Sequence, residues 1–178
     1  MRLYRVFPHN PRAATEEPGG ALFSPFGGAS RIDNPQLYRV LYAAFEAECA
    51  IAELFGAIPA WTAEMLVHAS GYRYVLATLE APDEPPLWNM DDPEHLEQLH
   101  LKPSDVVKRD RERTQAWAER VFSMKRYRGI RWWSYYSPQW TSCGLWDVTG
   151  VSVQAIEQLA IDSPALVAAA ESIVRIVS

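Results

Sequence analysis

A chain of 178 residues is near the usual size of one domain and long enough to bury about two-thirds of the surface its unfolded form would expose. With 48% apolar and 22% charged residues it has the composition of a soluble globular protein, and no apolar run approaches the roughly 18 residues of a membrane span. The net charge of −5 and a pI near 5.4 argue against broad electrostatic binding to nucleic acid, so any phosphate-bearing ligand must be held by a few placed arginines.

The opening MRLYRVFPHNPR is basic, with no apolar stretch of signal-peptide length behind it, and a cytoplasmic location is expected. Leu3–Phe7 is a β-prone run carrying Arg5. Pro8, Pro11 and Pro18 then force loop until about Leu22, and Gly19-Gly20, Pro25 and Gly27-Gly28 prolong an irregular segment suited to close backbone approach to a ligand. Val40–Ala44 is read as a short strand. Glu46–Phe55 follows as a helix, with acids in its first turn and Gly56 as its stop signal. Glu53 near its C-terminal end is mildly disfavoured by the helix dipole, a small sign that something other than helix stability placed it there.

Trp61–Ala69 is read as a short amphipathic piece and Tyr72–Glu80 as a strand. Proline and acid dominate from Ala81 to Pro93, which reads as an exposed loop tucked down by Leu87 and Trp88. Ser104 is expected to cap one helix running to about Met124, with Trp117, Val121 and Phe122 inward and the charge cluster Lys108–Arg113 on its solvated side. Gly129–Tyr136 is a strand by composition, and Leu145–Val148 is another short one. Ser163-Pro164 opens a C-terminal helix. The order of elements predicts a single mixed α+β domain over 1–178 around one small central sheet with flanking helices. Its motif-bearing part is about 3–148, followed by a helical segment at about 150–178.

Cys49 and Cys143 are too few for a disulfide framework or a zinc ligand set and read as small buried hydrophobes. The four histidines lack ligand spacing, so no metal is expected. Arg31 after Gly27-Gly28 is either a surface arginine beside a turn or a bidentate grip on pyrophosphate. Neither a GxGxxG fingerprint nor a P-loop lysine accompanies it. Arg5, in an otherwise apolar strand, needs an anionic partner from protein or ligand. Tyr42 is either a core tyrosine or a ring that stacks on a flat heterocycle. Glu53 is either a helix-surface glutamate or a functional carboxylate, and Ser134, among four large aromatics, either a strand serine or a ligand hydrogen bond. The tryptophan-rich stretch Trp132–Trp146 lacks the interleaved lysines of a nucleic-acid stacking surface.

Together, Arg5, the GGxSR segment ending at Arg31 with Asn34-Pro35 behind it, LYxA at Leu41-Tyr42, AxAE ending at Glu53 and GIRWWS ending at Ser134 resemble the RES-domain family over about Arg5–Val148. Many members follow the first arginine with an aromatic, where this chain has Val6. The resemblance implies a fold similar to ADP-ribosyltransferases and a toxin that consumes NAD as substrate, by glycohydrolysis, phosphorolysis or ADP-ribosyl transfer. It implies Glu53, Arg31 and Ser134 as catalytic residues and Arg5, Arg31, Tyr42 and Ser134 as NAD-binding ones. Its implied partner is an Xre-type helix-turn-helix antitoxin, in a homo- or hetero-oligomer, without direct contact to nucleic acid or membrane. The alternative is a catalytically inactive binding or assembly module of the same fold.

Overall fold

The computed structural model describes residues 1–178. In chain order the elements are β1 (Arg2–Pro8), β2 (Leu41–Ala44), α1 (Ala47–Phe55), β3 (Ala60–Trp61), a 3-10 turn (Ala63–Leu66), β4 (Tyr74–Glu80), β5 (Leu87–Asn89), α2 (Pro93–Gln98), α3 (Pro103–Val107), α4 (Arg111–Ser123), β6 (Gly129–Trp133), β7 (Thr141–Leu145), β8 (Ser152–Gln158), α5 (Pro164–Ser172) and β9 (Ile176–Val177). Seven strands form one sheet in the order β5-β6-β7-β2-β1-β4-β8; β3 and β9 form a separate parallel pair. Every pairing in the large sheet is antiparallel except β5 with β6. The expected α+β architecture, a central mixed sheet with flanking helices, is the one observed.

Strand alternation divides the core. Leu3 and Phe7 of β1 point to the face closed by the loop residues Ala21 and Leu22, while Tyr4 and Val6 turn to the opposite face, under α1 and α5. Arg5 shares the first face, which is why its guanidinium meets the loop. A third apolar cluster joins α2, α3 and α4 to the β5–β6 end through Trp88, Trp117, Val121 and Trp132.

Five expectations are corrected. The loop from Ala81 to Pro93 contains β5, whose Trp88 is fully buried and stacked on His95 at 4.0 Å. It pairs in parallel with Gly129–Arg131, a partner some 40 residues away that no local period reveals. The helix expected from Ser104 to Met124 is two helices. Lys102 rather than Ser104 precedes the first, with its backbone N–H on Asp105, and Asp110 caps the second by accepting from the Arg113 N–H at 3.1 Å. Asp105 holds the break by accepting from Lys108 Nζ at 2.9 Å and Arg113 Nη2 at 3.0 Å, bonds that keep its carboxyl below the usual range. The strand expected at Leu145–Val148 lies earlier, at Thr141–Leu145, and the segment beyond 150 opens with the edge strand β8 before its helix. Ser163 precedes that helix, but its hydroxyl accepts from the Ala160 N–H instead of capping.

Gly56 ends α1 in an ordinary right-handed conformation, so a left-handed turn is not the reason for glycine. A Cβ there would sit 2.5 Å from the Tyr136 ring and 2.4 Å from the Ala52 carbonyl oxygen. Gly56→Ala should therefore cost about 1–3 kcal/mol through overpacking, measurable as a lower urea midpoint with an unchanged slope.

Candidate active site

β1 and β2 pair at one point only, Tyr4 opposite Ala44, whereas β1 and β4 pair along seven residues. Where the neighbouring strands part, a cavity of about 400 Å³ opens, walled by β1, β2, the Ala29–Arg31 loop, α1 and the start of α4. Arg5, Arg31, Tyr42 and Glu53, four of the five residues singled out in the sequence, line it. The charged residues of its lining are three arginines, the third being Arg111, and a single carboxylate.

The fifth residue, Ser134, stands against Glu53. Its hydroxyl donates to Glu53 Oε1 at 2.6 Å and accepts from the Tyr136 N–H at 3.1 Å. Ser142 donates to the same Oε1 at 3.2 Å. Helix α1 buries Cys49, Ile51, Ala52 and Phe55, which leaves Glu53 on its other face, toward the cavity. Two hydroxyls thus fix one carboxylate oxygen and leave Oε2 without a protein donor. The Ser134 proton is directed at Glu53, so the bond Ser134 makes within the protein is to the carboxylate.

Arg5 donates Nη1 to the Ala21 carbonyl at 2.8 Å and Nη2 to the Phe23 carbonyl at 2.7 Å. No carboxylate pairs with it. Burial without a counter-ion pulls its pKa down to about 10, which leaves it charged at neutral pH. Arg31 donates Nη1 to the Lys108 carbonyl at 3.1 Å and also to the Val106 carbonyl, and its guanidinium lies 5.9 Å from the centre of the Trp132 ring. Burial and, next, the positive charge of Arg111 lower its pKa. Both residues are cations with desolvated heads, a costly state that an anion in the cavity would relieve.

Tyr42 offers the cavity its ring, set edge-on to Trp132 at 6.4 Å, while its hydroxyl is engaged behind. That hydroxyl donates to Asp33 Oδ1 at 2.8 Å and accepts from the Ile32 N–H at 3.1 Å; burial keeps it protonated. Asp33 in turn accepts from the Ser30 N–H at 2.9 Å, so Tyr42 and Asp33 together hold the loop that presents Arg31. Gly27 is required by this arrangement, since a Cβ would lie 2.5 Å from Asp33 Oδ2.

Cys143 also lines the cavity and Cys49 stands 3.5 Å from Ser142, but burial pushes both thiols up, Cys49 to about 12, so neither supplies a thiolate. Sequence reasoning missed three contributors. Ser142 and Asp33 carry no local motif. Arg111 belongs to a charge run assigned wholly to solvent, and only the break before α4 turns it inward.

The chain superposes on a chain of the M. tuberculosis MbcT–MbcA toxin–antitoxin complex with a TM-score of 0.64 at 17% identity, covering 97% of this chain and 88% of that one. At that identity the likeness establishes the fold. No curated protein sequence matches. The pattern of the RES domain, however, matches residues 2–166, a span that takes in the split strands, the arginine loop, α1 and the Ser134 strand. By that match this chain belongs to the RES-domain family.

Proposed function

We propose that the protein is the NAD-consuming toxin of a toxin–antitoxin pair, cleaving the bond between nicotinamide and ribose. The observation that carries this reading is the carboxylate of Glu53, pinned through one oxygen by Ser134 and Ser142 on the wall of a cavity whose other charged lining residues are three arginines. When the bond breaks, its electron pair goes to the nicotinamide nitrogen and neutralises that ring, while C1′ of the ribose gains oxocarbenium character. A fixed carboxylate with a free oxygen stabilises that charge and can accept from a ribose hydroxyl. An acceptor oxygen from water, phosphate or a protein then bonds to C1′ and sheds its proton. Arg5 and Arg31 hold the pyrophosphate, the Tyr42 ring packs on the nicotinamide end, and Ser134 positions Glu53.

The same reading gives the protein an antitoxin, expected to be of the Xre helix-turn-helix type and to block the cavity or its approach. The likeness to a chain from a toxin–antitoxin complex supports this partner. The direct test is release of free nicotinamide from NAD by the purified chain, and loss of that release in a complex co-purified with the product of a neighbouring gene. If NAD stays intact at high enzyme concentration and expression of the chain alone is harmless, the inactive binding module takes its place.

Arg31→Ala should weaken NAD binding about ten- to a hundredfold, the scale of a lost charge-assisted hydrogen bond, with little loss of thermal stability. A variant that melts far lower yet keeps its affinity would make Arg31 a strut for the α3–α4 turn and nothing more.

A further inference from the structure

In the charged stretch before and within α4, nearly every cation has a partner in the protein. Lys108 and Arg113 bond Asp105, Arg109 lies over the Tyr135 ring at 5.0 Å, and Arg120 donates to the carbonyls of Leu99 and Gln98. Arg111 is the exception. Its guanidinium makes no hydrogen bond, ion pair or ring contact, and its Nη1 is buried with no acceptor. It lies in the first turn of α4, where the helix dipole disfavours positive charge, and it lines the cavity beside Arg31, close enough for the two cations to repel. Fold stability therefore works against this position on three counts: dipole, desolvation and like charge.

Resting on the dinucleotide reading of the cavity, we propose that Arg111 is a third phosphate-binding residue, taking an oxygen of the pyrophosphate alongside Arg31. An anion there turns all three penalties into gains. It gives the buried Nη1 an acceptor, separates the charges of Arg31 and Arg111, and matches the excess of three arginines over one carboxylate to the two negative charges of a pyrophosphate. The break between α3 and α4, with Asp110 as cap and Asp105 as clasp, has the consequence of delivering this side chain to the cavity.

The test is calorimetric titration of the full chain with inorganic pyrophosphate and with ADP-ribose, comparing the parent with Arg111→Gln, Arg111→Lys and, as a charge-matched control, the exposed Arg126→Gln. Arg111→Gln should lose about ten- to a hundredfold in affinity for both probes, and Arg126→Gln should match the parent. Arg111→Lys, which keeps the charge but not the planar fork, should fall between them and guards against a glutamine variant that fails to fold. Without ligand, Arg111→Gln should melt at or above the parent temperature, which a structural arginine would not. Equal affinities in Arg111→Gln and the parent, or no binding of either probe by the parent, would overturn the proposal. Pyrophosphate binding that depends on Arg111 in a protein that never consumes NAD would uphold it while removing the catalytic reading.

Discussion

Glu53→Gln should leave a folded protein that binds NAD within a small factor of the parent and turns it over about a hundred- to a thousandfold more slowly. Glutamine keeps the size of the side chain, and its amide oxygen can still accept from Ser134 and Ser142. What it removes is the negative charge, felt chiefly when positive charge develops on the ribose. Glu53 is solvent-exposed on α1 and makes no ion pair, so the substitution should change stability by less than about half a kcal/mol. Ser134→Ala refines the measurement, because loss of one of two donors to Oε1 should lower turnover without approaching the loss in Glu53→Gln. NAD consumption and NAD binding measured on the same purified variants decide the matter. Near-parental turnover in Glu53→Gln would remove Glu53 from the catalytic set.

Arg128→Met should instead destabilise the fold by about 3–5 kcal/mol while leaving turnover per folded molecule unchanged. Arg128 is 1% exposed and donates to three backbone carbonyls: Pro82 at 2.8 Å, Thr149 at 2.5 Å and Asp147 at 3.3 Å. These carbonyls belong to the loop before β5 and the turn after β7, which have no strand partners of their own to satisfy them. Methionine fills much of the volume and leaves all three partly buried acceptors without their donor. For a chain of this length the melting temperature should drop by roughly 6–20 °C in a thermal scan. A drop of a degree or two would mean that water reaches those carbonyls. The contrast with Arg5, Arg31 and Arg111 is instructive, because Arg128 has its full set of carbonyls and does not line the cavity.

Elements with a local signal were legible in the chain. β1 follows from LYRVF bounded by Pro8, β2 from a short apolar run, α1 from good helix formers ahead of Gly56, and β4 from its alternation. In the tryptophan-rich stretch, which lacks interleaved lysines, Trp133 and Trp146 pack against the core cluster around Trp132. In the structure Trp132 is core and Trp146 donates its indole N–H to the Tyr127 carbonyl. β5 and β8 were not legible. A three-residue strand between prolines has no period, and β8 is an edge strand with a mostly exposed surface, so both exist through pairing with β6 and β4. Helix propensity runs unbroken across Lys108–Asp110, and the break there is set by Asp105 and Asp110, whose bonds form only once the two helices are placed.

For the site, the sequence by itself determined which chemistry was available: Arg5, Arg31, Tyr42, Glu53 and Ser134 on separate elements, in an acidic chain where phosphate must be met by individual arginines. Only the tertiary structure decided how those groups are used. Arg5 and Arg31 spend part of their donor set on backbone carbonyls, Tyr42 spends its hydroxyl on Asp33, and Ser134 spends its proton on Glu53. It also added Ser142 and Arg111, one from a strand without a motif and one from a charge run that looked solvated. The physical reason is common to all of them. Residue type sets what a side chain can donate, accept or neutralise, which is local information, whereas the partner it finds lies 9 to 89 residues away along the chain.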